Sequence, residues 1–406
     1  MLGRACCARI GLVASVALAL LALSPGIGRA TIADAPISGT FRHPVQVVNA
    51  PGQGRNMYIV ESNGVIQLDL NGVVQSTPFL TVPVPTGTQI NLYALAFAPN
   101  YATSGLFYIL VHSSLKNSSA DNVMQVQEFQ RSATNPDVAD PATQRVVITT
   151  DPMESSLHAD GDIIFGDHND LYISTGDGDL QGDPNNNSQS LSTLLGKILR
   201  IDPMASGSSP YTVPANNPYA TLVPPYNTID ATGLRNPWRF SFGDGGVFIG
   251  DPGESREDEV DWVSLKTLRG ANFGWNCYEG DLVYDADNTC PNATFPVYVY
   301  GPGSNPNCGS AVIGGLVVKD KSLPDLFGRY LFGDYCSGQL SSFSLIDGMA
   351  TDVQPVGVTV PSLSSINVGA GGHIYVTGEP SGGGTLGELV ESTSGVRRVG
   401  LGTRGR

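Results

Sequence analysis

Basic residues are scarce in this chain: 22 Lys and Arg stand against 37 Asp and Glu, a formal net charge of −15. So acidic a protein repels phosphate backbones, which argues against nucleic acid as a partner. Long apolar stretches with a 3.6-residue period are missing, which argues against a helical fold. The single N-terminal apolar run, fourteen residues from Ile10 to Leu23, is too short for a stable membrane span, and no span is expected in the mature chain. No Cys/His cluster, phosphate-cradling Gly loop or G-x-S-x-G elbow is present, so the zinc, nucleotide and hydrolase chemistries those motifs carry find no support.

What is there begins with a leader. Arg4 and Arg9 flank an apolar run from Ile10 to Leu23, Pro25 and Gly26 break it, and Gly28-Arg29-Ala30 offers small residues at a cleavage position. Residues 1–30 therefore read as a signal peptide of a secreted or periplasmic protein. Cys6 and Cys7 precede the run, where a lipid-anchor cysteine would follow it. Four cysteines remain, Cys277, Cys290, Cys308 and Cys336. An even number in an exported chain predicts two disulfides, and of three connectivities 277 with 290 and 308 with 336 close the shortest loops.

The remaining chain is longer than one ordinary core covers, yet it contains no linker. Its 49 Gly and 28 Pro are spread as turn punctuation between short strands. A segment of the form apolar, aromatic, Ile or Val, then a turn and a second strand, recurs six times. The copies start at Met57, Leu106, Leu171, Val247, Tyr330 and Ile374. Several follow another strand, as in LAFAPN, DIIFG, RFSFG and SINVG. Six copies predict an all-β, six-bladed β-propeller over residues 31–391, against a β-sandwich with coincidental repetition as the alternative. Insertions at Asp151 to Ala159, Gly178 to Leu195, Pro203 to Ile229 and Tyr278 to Ala311 are expected on one face. The tail from Ser392 to Arg406 lacks apolar periodicity and reads as disordered.

The chemistry concentrates between Gly233 and Gly280. Arg235 and Asn236 open a strand and are held by Pro237; a guanidinium with five donors suits a carboxylate or quinone oxygen. The alternative is an Arg that ties blades together through carbonyls. GDPGESREDEVD places Asp251, Glu254, Glu257, Asp258, Glu259 and Asp261 around Pro252-Gly253. Calcium takes six to eight oxygens from carboxylates and turn carbonyls, so this turn is a calcium candidate through Asp251, Gly253, Glu254 and Glu259, with a solvated acidic loop as the alternative. STGDGDLQGDPNNNSQS, Ser174 to Ser190, is a weaker ion candidate. His158, one of five histidines, stands at a strand entrance and is the side chain suited to take a proton near neutral pH.

Taken together, HADGDIIFGDHNDLYISTGDG, GKILRIDP, GLRNPWRFSF, GDPGESREDEVD and GANFGWNCYEG resemble the soluble quinoprotein glucose/sorbosone (aldose sugar) dehydrogenases, over roughly residues 40 to 390. The hedgehog-interacting-protein propellers are similar too, with a PYTVPANNP-like loop echoed at Pro210 to Pro218. The resemblance implies pyrroloquinoline quinone (PQQ) at the channel mouth with Ca2+ beneath it, a sugar substrate and an external electron acceptor. It gives His158 the role of general base for the anomeric hydroxyl as hydride leaves for the quinone, and Arg235 and Asn236 contact with the quinone oxygens. Gly253 and Glu254 fall where carbonyls hold the calcium, and Gln89 where a Gln or Glu touches the cofactor. It also exposes departures: Leu157 replaces an Asp, GLLG has become LYAL, and Cys336, Pro361 and Leu363 stand where the family has basic residues for the cofactor's carboxylates. Lys319 and Lys321 replace those cations only if the fold brings them to the mouth. A non-catalytic propeller that binds a glycan or protein is the second reading.

Overall fold

Each recurring segment becomes the second strand of a four-stranded antiparallel sheet, and six such sheets follow one another along the chain. This is a computed structural model, and it describes residues 31–115, 118–303 and 308–392. The proposed leader, residues 1–30, and all but the first residue of the proposed tail lie outside the described residues.

In chain order the second strands are Met57–Glu61, Leu106–Leu115, Leu171–Thr175, Gly246–Asp251, Tyr330–Asp334 and Ile374–Gly378. The innermost strands precede them: Pro44–Val48, Thr88–Phe97, Ile163–Phe165, Arg239–Gly243, Val312–Val317 and Leu363–Val368. The sheets are blades 1 to 6 in that order. Blade 6 takes its outermost strand from the start of the described chain, Thr31–Pro36, which pairs with Thr385–Ser392. Closing the ring with a strand from its other end leaves no open blade between first and last. The two disulfides, Cys277–Cys290 and Cys308–Cys336, are those of the shortest-loop pairing.

Five of the second strands are buried along their whole length and the longer one of blade 2 is buried from Phe107 to His112, because each is covered by the blades on both sides. Tyr58, Phe79, Phe97 and Phe107 pack between blades 1 and 2, Tyr58 against Phe79 in a T-shape and the other pairs tilted. Phe248 and Tyr330 stack at 4.1 Å between blades 4 and 5. Aromatic contacts of this kind add to area burial, which at about 25 cal/mol per Å² supplies most of the favourable energy.

The channel is filled by Arg239. Its guanidinium donates to the carbonyls of Val45, Tyr93 and Gly161 at 2.6, 3.1 and 3.2 Å, so an arginine of blade 4 binds blades 1, 2 and 3. The role of tying blades through carbonyls, weighed above for Arg235, belongs to Arg239. Trp238 Nε1 adds a bond to Ser364 O of blade 6.

Innermost strands start, and second strands end, on one face of the ring, which carries His158, Asp177, Arg235 and Asp251. The insertions 151–159 and 178–195 join there, as Ser155 N donates to Gly178 O. The Pro203–Ile229 insertion departs from the expected single face. It follows Ile201, which pairs with Leu171 at the far end of blade 3. Arg145 of blade 2 holds it there through Pro203 O and Pro210 O.

Candidate active site

Three segments distant in sequence meet at the mouth because each adjoins a strand end. His158 ends the loop before blade 3 in the left-handed region, at φ 55°. A non-glycine residue there stores about 1 kcal/mol or more of strain. Gly176 permits it: a Cβ at that position would fall 2.1 Å from the His158 carbonyl oxygen. The ring Nδ1 lies 2.7 Å from Asp177 Oδ1. Asp177 is wholly buried, and its Oδ2 accepts from Trp275 Nε1 at 2.9 Å. An ionised carboxylate that accepts from the ring fixes Nδ1 as the protonated nitrogen and leaves Nε2 with a free lone pair. That is the geometry of a positioned base.

Trp275 also carries the cation of the site. The Arg235 guanidinium lies 5.6 Å from the indole ring, in cation–π contact. Its Nε and Nη2 donate to Glu254 Oε2 at 3.1 and 2.6 Å, and its Nη1 to Pro252 O at 3.1 Å. Three of its five N–H groups are thereby used, and two remain for a ligand. The backbone N–H groups of Arg235 and Asn236 both end on Asp251, at 2.8 and 2.6 Å, which ties blade 4's entry to its second strand.

The acidic turn is organised by its own N–H groups. Burial alone would lift the Glu279 carboxyl, but N–H bonds from Ser255 and Arg256 outweigh it and hold it below the usual range. Asp258 accepts from Gly253 N and Val312 N. Gly253 is required by close approach, since a Cβ would fall 1.8 Å from Glu257 O. Deeper in the blade, Asp251 and Glu259 face each other across paired strands, with Asp261 next along. Burial pushes all three carboxyls above their ordinary range, and the charge of neighbouring carboxylates adds to it: Asp251 and Asp261 on Glu259, Asp251 on Asp261, and Asp177 on Asp251. Among the described residues no group of three or more His, Cys, Asp or Glu is set to hold a metal ion. The carbonyls of Gly253 and Glu254 accept no hydrogen bond among the described residues, and are the oxygens free to meet a cation.

The structure thus brings His158, Arg235, Asn236, Asp251, Gly253 and Glu254 to one mouth, with Glu259 behind Asp251. Gln89 stands apart, with an exposed side chain on the outer half of its strand, opposite Ser114. Lys319 does not reach the mouth. It follows the far end of the strand Val312–Val317, exposed and 3.7 Å from Asp244 of the blade 4 turn, and Lys321 is two residues beyond. Leu363 is wholly buried in the core, and Cys336 is in a disulfide.

Two supporting residues went unread in the sequence. Asp177 was visible only as part of an acidic loop; its place directly after a strand, in the blade His158 enters, was the available signal. Lys197 is wholly buried, with its ammonium on the carbonyls of Asn187, Ser188 and Leu195 at 2.6, 3.1 and 2.5 Å. Asn187 Nδ2 in turn donates to Asp177 O. Burial lowers the Lys197 amine to about 7.

Fold and cluster define a six-bladed propeller with His158, Asp177 and Arg235 gathered at its mouth. The chain belongs to the glucose/sorbosone dehydrogenase family, whose model matches residues 41–387. The HIPL2 protein of Arabidopsis thaliana is 30% identical over 323 residues, covering 64% of this chain and 45% of that protein. The human Hedgehog-interacting protein is 25% identical over 311 residues, covering 73% and 42%. The chain therefore spans less than half the length of these relatives. Among solved structures, a glucose dehydrogenase superposes with a TM-score of 0.71 at 17% identity, covering 89% of this chain and all of that one. The PQQ-bound aldose sugar dehydrogenase of Streptomyces coelicolor gives 0.64 at 19%, covering 90% and 99%. At such identities the likeness is one of fold.

Proposed function

We propose that this chain is an exported, PQQ- and calcium-dependent oxidoreductase acting on an aldose-type sugar. The observation that carries the reading is the His158–Asp177 pair, an imidazole whose orientation and tautomer are set by a buried carboxylate. A binding protein has no need of a base so held.

The site fits the quinone end of such a cofactor. Arg235 keeps two N–H donors for its oxygens, and the free carbonyls of Gly253 and Glu254 suit calcium, with the carboxyls of Asp251 and Glu259 behind them. When bound, the quinone supplies the two-electron acceptor that no side chain can. His158 Nε2 removes the hydroxyl proton, and Asp177 stabilises the imidazolium that results. Arg235 is pre-oriented by Glu254 and Trp275, so little reorganisation accompanies charge development beside it. An external acceptor would be needed to reoxidise the bound cofactor, and a leader ending at Ala30 would deliver the protein outside the cytoplasm. Two disulfides agree with that compartment, and no helix among the described residues is long and apolar enough to cross a membrane.

The test is purified protein with PQQ, calcium and an artificial acceptor against a broad sugar panel, beside a calorimetric titration of PQQ. Turnover with calcium-dependent binding supports the reading. No turnover and no binding reject it.

A second reading is favoured by the far end of the cofactor. Cys336, Pro361 and Leu363 stand where the resemblance expects basic residues for its carboxylates, and each charge-assisted bond missing there would be worth about 1.5–3 kcal/mol. On that reading the mouth binds a glycan or protein without redox chemistry. His158→Ala then leaves ligand affinity unchanged, while calcium still raises the melting temperature.

A further inference from the structure

Asn187, Ser188 and Gln189 form a turn within the 178–195 insertion, and each residue bonds a different part of the mouth. Asn187 Nδ2 donates to Asp177 O at 2.9 Å, on the residue whose carboxylate orients His158. Ser188 Oγ donates to Leu234 O at 2.8 Å and Ser188 O accepts from Gly233 N at 2.9 Å, which holds the chain just before Arg235. Gln189 Nε2 donates to Trp275 O at 2.6 Å, on the residue whose indole bonds Asp177 and lies against Arg235. Three consecutive residues thus tether the base's partner, the entry to the guanidinium and their shared indole.

Opposite charges hold the turn from two sides. The buried Asp183 carboxylate accepts from Asn187 N and Ser188 N at 2.7 and 2.9 Å. Lys197, on the third strand of blade 3, donates to the carbonyls of the same two residues at 2.6 and 3.1 Å and to Leu195 O at 2.5 Å. Its side chain is wholly shut from solvent, and the three carbonyls match the three N–H donors of an ammonium. Hydrogen bonds of this kind favour the charged form over the amine. Buried carbonyls are kept paired in folded proteins, so loss of the ammonium obliges the turn to shift toward other donors. Because one turn carries all three tethers, the shift reaches Asp177, Leu234 and Trp275 together.

We propose that Lys197 is a positioning residue: through the turn it clamps, its ammonium sets how the His158–Asp177 pair, Arg235 and Trp275 stand to one another. It touches neither substrate nor cofactor. What the positioned groups then do rests on the dehydrogenase reading; the positioning itself does not. The bond that spans two of the tethers, Trp275 Nε1–H to Asp177 Oδ2 at 2.9 Å, reports it directly. Trp238 Nε1–H, bonded to Ser364 O in the channel, is the internal control.

Hydrogen exchange of the indole N–H groups, read by NMR on isotope-labelled tryptophan with neither PQQ nor sugar present, compares wild type with Lys197→Met and Asn187→Ala. Trp238→Phe and Trp262→Phe proteins assign the signals. Lys197→Met keeps the length of the side chain and removes its donors; Asn187→Ala cuts only the tether to Asp177. In both variants Trp275 Nε1–H is expected to exchange about 10-fold or more faster than in wild type, while Trp238 Nε1–H stays within about 2-fold. Equal acceleration of both signals overturns the proposal, because it makes Lys197 a general support of the fold. Unchanged exchange at Trp275 overturns it as well. Should Lys197→Met fail to fold, Asn187→Ala decides by the same two signals. In the dehydrogenase assay Lys197→Met is expected to lower kcat about 10-fold or more with sugar KM within about 2-fold. Selective release of Trp275 in a protein whose wild type shows no turnover leaves the positioning standing and removes only the dehydrogenase.

Discussion

Trp275 Nε1 donates to Asp177 Oδ2 at 2.9 Å, joining an insertion of blade 4 to the carboxylate that orients His158 in blade 3. Because the same indole lies against Arg235, the His158–Asp177 pair and the guanidinium share one support. Disturbing that support alters both.

Asp177→Asn removes the acceptor that holds Nδ1–H and lets the imidazole take the wrong tautomer. In the dehydrogenase assay kcat is expected to fall by about 10²–10⁴-fold. Sugar KM should change much less, since Asp177 is covered by His158 and Trp275. Steady-state kinetics on the variant decide this.

Arg235→Ala leaves Glu254, with a side chain 8% exposed, without its counter-charge. Breaking a buried pair from one side costs about 3–5 kcal/mol. The midpoint of urea unfolding should drop accordingly. Arg235→Lys should recover only part of it, because an ammonium cannot place Nε and Nη2 together on one carboxylate oxygen.

Arg239→Met tests the channel plug. Carbonyls of Val45, Tyr93 and Gly161 lose their donor, at a cost of about 1–3 kcal/mol for each group left unsatisfied. Because the bonds join three blades to a fourth, the expected loss is global, read as a lower midpoint with the transition still cooperative.

Stability in chelator should rise on mild acidification. Burial raises Asp160, Asp162, Asp230 and Asp258 to about 6 and Asp183 to about 7. Raised carboxyls bind protons more readily in the folded state, so their contribution is complete below the unfolded value near 3.9 and is lost as pH rises through 6 to 7. Lys197, lowered to about 7, acts oppositely in sequence but penalises the fold below 7 by a constant amount, so it does not reverse the trend between pH 4 and 6. Thermal melts at pH 5 and pH 7.5 should show the higher midpoint at pH 5.

Cys277→Ser should lower stability by about 3 kcal/mol, the chain-entropy value for a loop of this size. The bridge spans 13 residues starting two after Trp275, so opening it frees the segment that holds Asp177. Acrylamide quenching of tryptophan emission in a background where Trp262 is replaced by Phe, compared with the same background carrying Cys277, reports that release against the constant signal of Trp238.

Blade number and strand order were legible in the sequence because both follow from local pattern. A buried second strand writes itself as apolar and aromatic residues, and Gly or Asp closes each turn. Proximity of His158, Arg235 and the acidic turn was legible in the same way, since each flanks a strand that the repeat places at one end. Pairwise assignment was not. Arg235 and Arg239 stand four residues apart on one strand entry, and nothing local says that one meets Glu254 while the other plugs the channel. Nor could the acidic turn be sorted into carboxylates that bind N–H groups and carbonyls left free. Those outcomes depend on which side chain faces which blade. In a radial fold that facing is decided across the channel, between residues as far apart in the chain as Val45 and Arg239, where only tertiary packing acts.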